Sequence, residues 1–84
     1  MNKMIEKEIT VSLEQGLHAR PAAELVKKLN EFKSTVEFYA GSRKFNPKSV
    51  LSMMTASIKQ GETIRVAVDG ADEEETMDWI IKYL

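Results

Sequence analysis

Residues 5–32 read IEKEITVSLEQGLHARPAAELVKKLNEF, and the change of pattern within this stretch decides the fold. Apolar residues first alternate with polar ones, as in a strand with one wet face, and later recur at the spacing of a helix face. Pro21 fits the first turn of such a helix, where backbone N–H groups lack helical partners. We therefore predict a strand and then a helix that begins between His18 and Arg20. The alternating residues are Ile9, Val11 and Leu13, and the helical ones are Ala22, Leu25, Val26, Leu29 and Phe32.

The same two patterns continue to the end of the chain. Gly41 and Ser42 predict a tight hairpin turn between two strands. Pro47 interrupts the second of these strands and Ser49 is a good N-cap residue, so a helix should follow, with Gly61 as its C-cap. The predicted elements are strands at 34–40 and 43–46, a helix at 50–59, a strand at 62–68 and a helix from 72 to 84.

The last helix is predicted from its start signal and from one apolar stripe. Asp72, with Glu75 three residues later, has the spacing of a capping box, and acidic residues suit the positive end of a helix dipole. The stripe predicted to be buried consists of Met77, Ile80, Ile81 and Leu84.

The order β-α-β-β-α-β-α decides the architecture. It allows one four-stranded antiparallel sheet, with amphipathic helices that must cover a single face. We therefore predict one α/β (α+β) domain over residues 1–84, an open-faced β-sandwich with three helices on one face of the sheet.

Composition excludes several classes of function. Twelve Lys and Arg residues against thirteen Asp and Glu residues give a formal charge of −1, too little positive charge for a dedicated nucleic-acid binder. The chain has no cysteine, which excludes disulfides, thiolate catalysis and cysteine-based metal sites. A single histidine leaves only carboxylates as further ligands, so no metal site is expected.

Location and assembly state are inferred from signals that the sequence lacks. The first residues have no apolar run like that of a signal peptide, and no later run approaches the roughly 20 apolar residues that span a bilayer. We therefore expect a cytoplasmic protein without membrane insertion. No heptad or edge-pairing device is visible, so a monomer is expected.

His18 is a candidate nucleophile beside a predicted helix start. Backbone N–H groups at a helix N-terminus point outward, and together with the helix dipole they favour negative charge. A neutral imidazole nitrogen is a competent nucleophile near neutral pH, and Arg20 offers a guanidinium that matches phosphate oxygens. The pattern therefore fits a phosphoryl acceptor. It also fits a surface histidine or a helix cap, since helix N-termini are common.

Two motifs resemble those of a known family. Residues 16–22, Gly-Leu-His-Ala-Arg-Pro-Ala, are similar to the active-site segment of the HPr family, the histidine-containing phosphocarriers of the bacterial phosphoenolpyruvate-dependent sugar phosphotransferase system. Residues 46–51, Asn-Pro-Lys-Ser-Val-Leu, followed by Met54, resemble the second signature of that family. The resemblance extends over essentially the whole chain. Ser52 departs from it, because many members have glycine at this position.

The resemblance implies a phosphoryl carrier that is not itself an enzyme. In the family, the histidine at the position of His18 accepts phosphate on Nδ1 from enzyme I, which is charged by phosphoenolpyruvate, and passes it to enzyme IIA units of sugar transporters. The arginine at the position of Arg20 helps to hold the phosphoryl group. The backbone N–H groups of Ala19 and Arg20 are expected to add a phosphate cradle, and no cofactor is expected.

Ser49 matches a regulatory serine of the family. In many Gram-positive members a serine-directed HPr kinase/phosphorylase modifies it, which makes the protein a cofactor of a catabolite-control repressor. From spacing alone, a role as N-cap is the favoured explanation of Ser49, because it needs no kinase. The alternative function is therefore a regulatory paralogue that acts mainly through Ser49, although such relatives can lack the histidine that this chain has.

Val50, Leu51 and Met54 match the exposed apolar patch on which enzyme I and other partners dock in the family. From spacing alone, Met54 and either Val50 or Leu51 fit the core as well, because a short helix must bury one side. Met53 and Ile58 are able to supply that buried side. An outward Leu51 is then the residue that most needs a functional explanation.

Overall fold

The computed structural model describes residues 4–14, 16–17 and 19–84, and over these it contains four strands and three helices. They follow each other in the predicted order, β-α-β-β-α-β-α. The strands are β1 (Ile5–Thr10), β2 (Thr35–Ala40), β3 (Arg43–Phe45) and β4 (Thr63–Asp69). The helices are α1 (Ala19–Leu29), α2 (Val50–Ala56) and α3 (Glu73–Tyr83).

The four strands form one antiparallel sheet in the order β1-β4-β2-β3. Ile9 of β1 lies opposite Ile64 of β4, and Phe38 of β2 lies opposite Val66 of β4. Because side chains alternate along a strand, these four residues point to the same face of the sheet. The predicted antiparallel sheet is confirmed.

The core lies on one face of this sheet. Buried residues from all three helices join the inward residues of the strands in one cluster, so the helices cover a single face. The opposite face is polar, with the Arg65 guanidinium 4.5 Å from the Tyr39 ring centroid and Lys44 paired with Glu37 at 2.8 Å. The buried helical residues include Ala22, Leu25, Val26 and Leu29 of α1, Met53 and Ala56 of α2, and Met77 and Ile80 of α3. The predicted open-faced sandwich is thus confirmed.

The end of α2 differs from the prediction. The helix ends at Ala56, and Ser57 adopts the left-handed C-cap conformation at φ 53°, so Gly61 as C-cap is wrong. Arg43 Nη1 donates to the carbonyl oxygen of Ala56 at 3.1 Å, which provides a partner for a carbonyl at the helix end. Ile58 then turns inward and is buried. The contact of Arg43 with Ala56 and the burial of Ile58 therefore end the helix before it reaches Gly61.

The buried stripe of α3 is narrower than predicted. Ile81 is 40% exposed, so its assignment to the core is wrong, whereas the other predicted members of the stripe are buried. Trp79 and Tyr83 are half-buried at the edge of the stripe. Their rings stack with centroids 4.8 Å apart, and Trp79 also lies 6.4 Å from the ring of Phe32. These aromatic rings extend the contact of α3 toward α1.

Asp72 stands at the N-cap position of α3, but its side chain does not cap that helix. Its carboxylate accepts hydrogen bonds from the backbone N–H groups of Lys33 at 2.8 Å and Ser34 at 2.9 Å, and from the Ser34 hydroxyl. The predicted capping box with Glu75 is therefore wrong. The carboxylate instead fastens the turn between α1 and β2 to the start of α3.

We predict that this fastening makes stability depend on acid pH. Donation from the Ser34 hydroxyl and then from the Lys33 N–H lowers the pKa of Asp72 from 3.8 to about 2. Because the folded pKa lies below the unfolded one, the stabilisation is complete above about pH 4 and is lost as pH falls toward 2. Urea midpoints measured between these pH values should fall less steeply for Asp72→Asn than for the wild type. Asp78→Asn, on the exposed side of α3, is the matched control. If the urea midpoint of Asp72→Asn fell with pH as steeply as that of this control, the prediction would be wrong.

Candidate phosphoryl-transfer site

The segment before α1 is held tightly against the loop that follows α2. Gly16 donates its N–H to the carbonyl oxygen of Leu13 at 2.8 Å, and the Leu17 N–H donates to the carbonyl oxygen of Ile58 at 2.9 Å. The Leu17 side chain is buried. Gly16 has φ +72°, and a Cβ on it would lie 2.4 Å from the Ile58 carbonyl oxygen, so a glycine is needed here. These contacts fix the backbone of Gly16 and Leu17, the two residues that precede the predicted phosphoryl acceptor.

α1 begins at Ala19, within the predicted range, and its first turn is accessible. Ala19 and Arg20 are exposed, whereas Pro21 is buried against the core, which agrees with a proline in the first turn. His18, the predicted phosphoryl acceptor, lies outside the described residues. Ala19 and Arg20 are thus accessible to solvent, and their contact with a phosphoryl group stays a prediction.

Tyr83 connects the last turn of α3 to the first turn of α1. Its hydroxyl lies 3.0 Å from the carbonyl oxygen of Pro21 and 3.1 Å from Oε1 of Glu24. Burial, followed by the hydrogen bond to Glu24, raises the pKa of Tyr83 to about 12, so the hydroxyl keeps its proton at neutral pH. In the sequence, Tyr83 stands directly before Leu84, the last residue of the predicted α3 stripe. No local signal links it to residues more than 50 positions earlier in the chain.

Ser49 is the N-cap of α2, as predicted. Its hydroxyl accepts a hydrogen bond from the Ser52 N–H at 3.2 Å, and its carbonyl oxygen accepts from the Met53 N–H at 3.1 Å. The residue is half-buried. Ser52, the departure from the family pattern, accepts a hydrogen bond on its own hydroxyl from the Asn46 N–H at 2.9 Å. The start of α2 is thus fixed by two serine hydroxyls.

The loop before α2 is also attached to the far end of α1. Lys48 Nζ donates to the carbonyl oxygen of Phe32 at 3.0 Å, and Asn30 Nδ2 donates to the carbonyl oxygen of Lys48 at 3.1 Å. Lys48 N–H donates in turn to Oδ1 of Asn46 at 3.0 Å. Ser49 therefore sits in a loop whose backbone is fastened on both sides.

Val50, Leu51 and Met54 form an exposed apolar patch on α2, which we call the α2 patch. They are 49%, 76% and 52% exposed, so placing any of them in the core is wrong. Met53 and Ala56 supply the buried side of the helix, and Ile58 follows them into the core. Leu51 is the most exposed of the three, and its role in docking stays a prediction.

Comparison with known proteins identifies the family. A family model described as the PTS HPr component phosphorylation site matches residues 5–84, which include all strands and helices described above. This chain belongs to the HPr family. HPr proteins are phosphocarriers, and membership supports a phosphocarrier function in the phosphotransferase system.

Individual HPr relatives match most of the chain. The HPr-like protein Crh of Halalkalibacterium halodurans is 38% identical over 81 residues, which cover 96% of each protein. The phosphocarrier protein HPr of Xylella fastidiosa strain Temecula1 is 40% identical over 74 residues, covering 88% of this chain and 83% of that protein. The relatives thus include both an HPr and an HPr-like protein.

A solved HPr structure has the same fold. The crystal structure of the phosphocarrier protein HPr from Bacillus anthracis strain Ames superposes with a TM-score of 0.94 at 34% identity, covering 99% of both chains. The HPr fold accordingly extends over nearly the full length of this chain. In its described part, none of the helices combines the length and apolar character needed to cross a bilayer. Among these same residues, no three His, Asp or Glu side chains are close enough together to hold a metal ion.

Proposed function

We propose that this protein carries a phosphoryl group on Nδ1 of His18, taken from phosphorylated enzyme I and passed to enzyme IIA units of sugar transporters. The observation that carries the proposal is the position of Gly16 to Ala22, the HPr active-site motif, at the start of α1, with Arg20 exposed in its first turn. The match of the family model around this motif supports it. The protein itself acts as a shuttle between separate enzymes.

The proposed chemistry needs only a nucleophile and fixed positive charge. The imidazole nitrogen attacks phosphorus, so that a nitrogen–phosphorus bond forms on His18 as the bond to the donor breaks. The Arg20 guanidinium and the backbone N–H groups of Ala19 and Arg20 stabilise the phosphoryl oxygens. Onward transfer reverses the step on an acceptor nucleophile. The site therefore works without a metal or organic cofactor.

The carrier function is tested by transfer to an acceptor. Purified enzyme I, phosphoenolpyruvate and an enzyme IIA domain are mixed with and without this protein, and phosphorylation of the IIA domain is followed with time. We expect rapid labelling of the IIA domain only when the protein is present, and none with His18→Ala. Labelling of the IIA domain by the variant at the wild-type rate would contradict the proposal.

We propose that the α2 patch is the surface on which enzyme I and the IIA domains dock. Three apolar side chains exposed together on a seven-residue helix are costly in water unless a partner covers them. Docking through one patch lets a small carrier present the same face to its donor and to its acceptors in turn. The patch and the accessible first turn of α1 together form the surface that we assign to partner recognition.

Leu51→Ala should weaken docking without weakening the fold. The side chain is 76% exposed, so its loss should leave the unfolding midpoint nearly unchanged. A central apolar contact in an interface is worth about 1 kcal/mol or more, which corresponds to a rise of roughly fivefold or more in the KM of enzyme I for this protein. Ile81→Ala, an exposed apolar residue on α3, is the control. Equal KM values for both variants and the wild type would refute docking through Leu51.

The second candidate function is regulation through Ser49. The similarity to the HPr-like protein Crh over 96% of each protein favours it, as does the position of Ser49 directly beside the α2 patch. A phosphate there would add about −1.5 to −2 charges next to apolar docking residues and would recruit a partner that presents arginines. The proposed partners are a serine-directed HPr kinase/phosphorylase and a catabolite-control repressor. ATP-dependent, acid-stable labelling that disappears in Ser49→Ala is the expected result, and no labelling by an active kinase would contradict it.

We further propose that the carrier works as a cytoplasmic monomer of one domain, residues 1–84. One core cluster joins all the helices and the sheet, which supports a single folding unit. A monomer presents the α2 patch and the first turn of α1 to one large partner at a time. Light scattering at increasing concentration should give the mass of one chain, and a dimer mass at low concentration would contradict this.

A further inference from the structure

The hydroxyl of Tyr83 restrains a carboxylate on the helix that carries the proposed phosphate-binding arginine. Glu24 Oε1 lies 3.1 Å from this hydroxyl, which also lies 3.0 Å from the Pro21 carbonyl oxygen. The Tyr83 ring is in turn stacked on Trp79, with an angle of 13° between their planes. Glu24 is therefore held toward the junction of α1 with α3.

Glu24 stands one helical turn after Arg20, on the same side of α1. Residues four apart on a helix face each other, and an Arg–Glu pair at this spacing attracts. A carboxylate and a phosphoryl group offer similar oxygen acceptors to a guanidinium. An unrestrained Glu24 would therefore compete with the phosphoryl group for Arg20.

The other two cations near Glu24 on α1, Lys27 and Lys28, do not prevent a released Glu24 from pairing with Arg20. Lys28, one turn after Glu24, already pairs with Glu31 at 3.4 Å and lies 5.6 Å from the Phe32 ring centroid. Lys27, three positions after Glu24, is exposed as Arg20 is, so it shares a released Glu24 with Arg20 without excluding that pair. A carboxylate released from Tyr83 thus has Arg20 as a partner within one turn at the functional end of the helix.

We propose that Tyr83 is a positioning residue for phosphoryl transfer, because its hydroxyl holds the Glu24 carboxylate away from Arg20. The inference rests on the proposed function of His18 and Arg20. The hydroxyl stays protonated at neutral pH, and its one proton is shared between Glu24 Oε1 and the Pro21 carbonyl oxygen, which keeps the carboxylate beside it. Tyr83 then acts through Glu24 and Arg20, without contact with the phosphoryl group.

The test is a set of single-turnover rates of phosphoryl transfer from phosphorylated enzyme I. Tyr83→Phe keeps the stacked ring and removes only the hydroxyl, and we expect it to slow transfer by about twofold, the factor that an exposed pair at this spacing is worth. Adding Glu24→Gln to Tyr83→Phe should restore the wild-type rate, because the competing charge is gone. Adding Glu74→Gln, which removes an exposed carboxylate from the first turn of α3, should not restore it. In an Arg20→Ala background, Tyr83→Phe should have no further effect.

These outcomes separate positioning from a structural role. If Tyr83→Phe were equally slow with and without Glu24→Gln, the hydroxyl would act through Pro21 or the fold, and the proposal would be overturned. A wild-type rate for Tyr83→Phe would overturn it too, while the carrier function of His18 would stand. No phosphorylation of the wild-type protein by a competent enzyme I would overturn both. Unfolding midpoints of every variant show that the compared proteins are folded.

Discussion

Gly16→Ala is expected to lower the free energy of unfolding by about 3 kcal/mol, because the added methyl group meets both backbone strain and a steric clash. The backbone at this position has φ +72°, where a side chain is strained. The new Cβ would also lie 2.4 Å from the Ile58 carbonyl oxygen and 2.7 Å from the Lys59 Cα, both backbone atoms. Relief requires separation of the two segments, which would break the Leu17 to Ile58 hydrogen bond. Chemical denaturation of both proteins measures the difference.

Gly61→Ala is the matched control for this change. Gly61 also has a positive φ, +87°, but no atom beyond its two chain neighbours lies within 4 Å of its added Cβ. We expect it to lose about 1 kcal/mol from backbone strain alone. The difference between the two variants isolates the close packing of Gly16 against the loop after α2. Equal losses would show that this packing is less tight than the structure indicates.

Arg20→Ala is expected to slow phosphoryl transfer by roughly 10- to 100-fold. A charge-assisted hydrogen bond to a phosphoryl group contributes about 1.5–3 kcal/mol, and this interaction strengthens as charge develops during transfer. Because Arg20 is exposed, its loss should leave the free energy of unfolding nearly unchanged. The effect should therefore appear in the transfer rate measured by rapid quenching and not in denaturation curves.

Two variants define what Arg20 contributes. Arg20→Lys keeps the charge but not the paired N–H donors, so its rate should lie between those of the wild type and the alanine variant. Lys27→Ala removes an exposed cation from the same helix outside its first turn and should transfer at nearly the wild-type rate. If Arg20→Ala and Lys27→Ala had the same rate, Arg20 would contribute no more than any exposed cation of α1, and its assigned role would be wrong.

Most of the fold follows from patterns within single elements. The alternation around Ile64 and Val66 and the helical spacing of Leu25 and Leu29 predicted both the elements and their buried faces. The element order then restricted the architecture to one sheet covered on one side. These signals are strong because the burial of apolar side chains dominates the choice of face.

The features that the sequence did not reveal depend on contacts between distant segments. Asp72 has a helix-start pattern, yet its carboxylate binds the backbone of Lys33 and Ser34, almost 40 residues earlier. Gly61 is a residue type that C-caps favour, yet the C-cap of α2 is Ser57. There the Arg43 guanidinium donates to the carbonyl oxygen of Ala56 at the helix end. A local motif predicts which bonds a residue is able to make, whereas tertiary packing decides which of them form.

In the candidate site, too, the motifs predicted the positions of residues, whereas their exposure and long-range contacts needed the folded structure. The motifs place Ser49 at the start of a helix and Arg20 in a first turn, and both positions are confirmed. Spacing alone left open whether Val50, Leu51 and Met54 face the core, and only the folded structure shows that all three are exposed. The contact between Tyr83 and Glu24 joins positions 59 residues apart and has no sequence signature.

Phosphorylation of His18 is tested most directly by NMR of its imidazole after incubation with enzyme I and phosphoenolpyruvate. The chain has one histidine, so its ring signals need no further assignment. We predict that Nδ1 becomes bonded to phosphorus, that the signal of the free ring reappears when an enzyme IIA domain is added, and that neither change occurs without enzyme I. An unmodified imidazole, in the presence of an enzyme I that phosphorylates another HPr, would contradict the account.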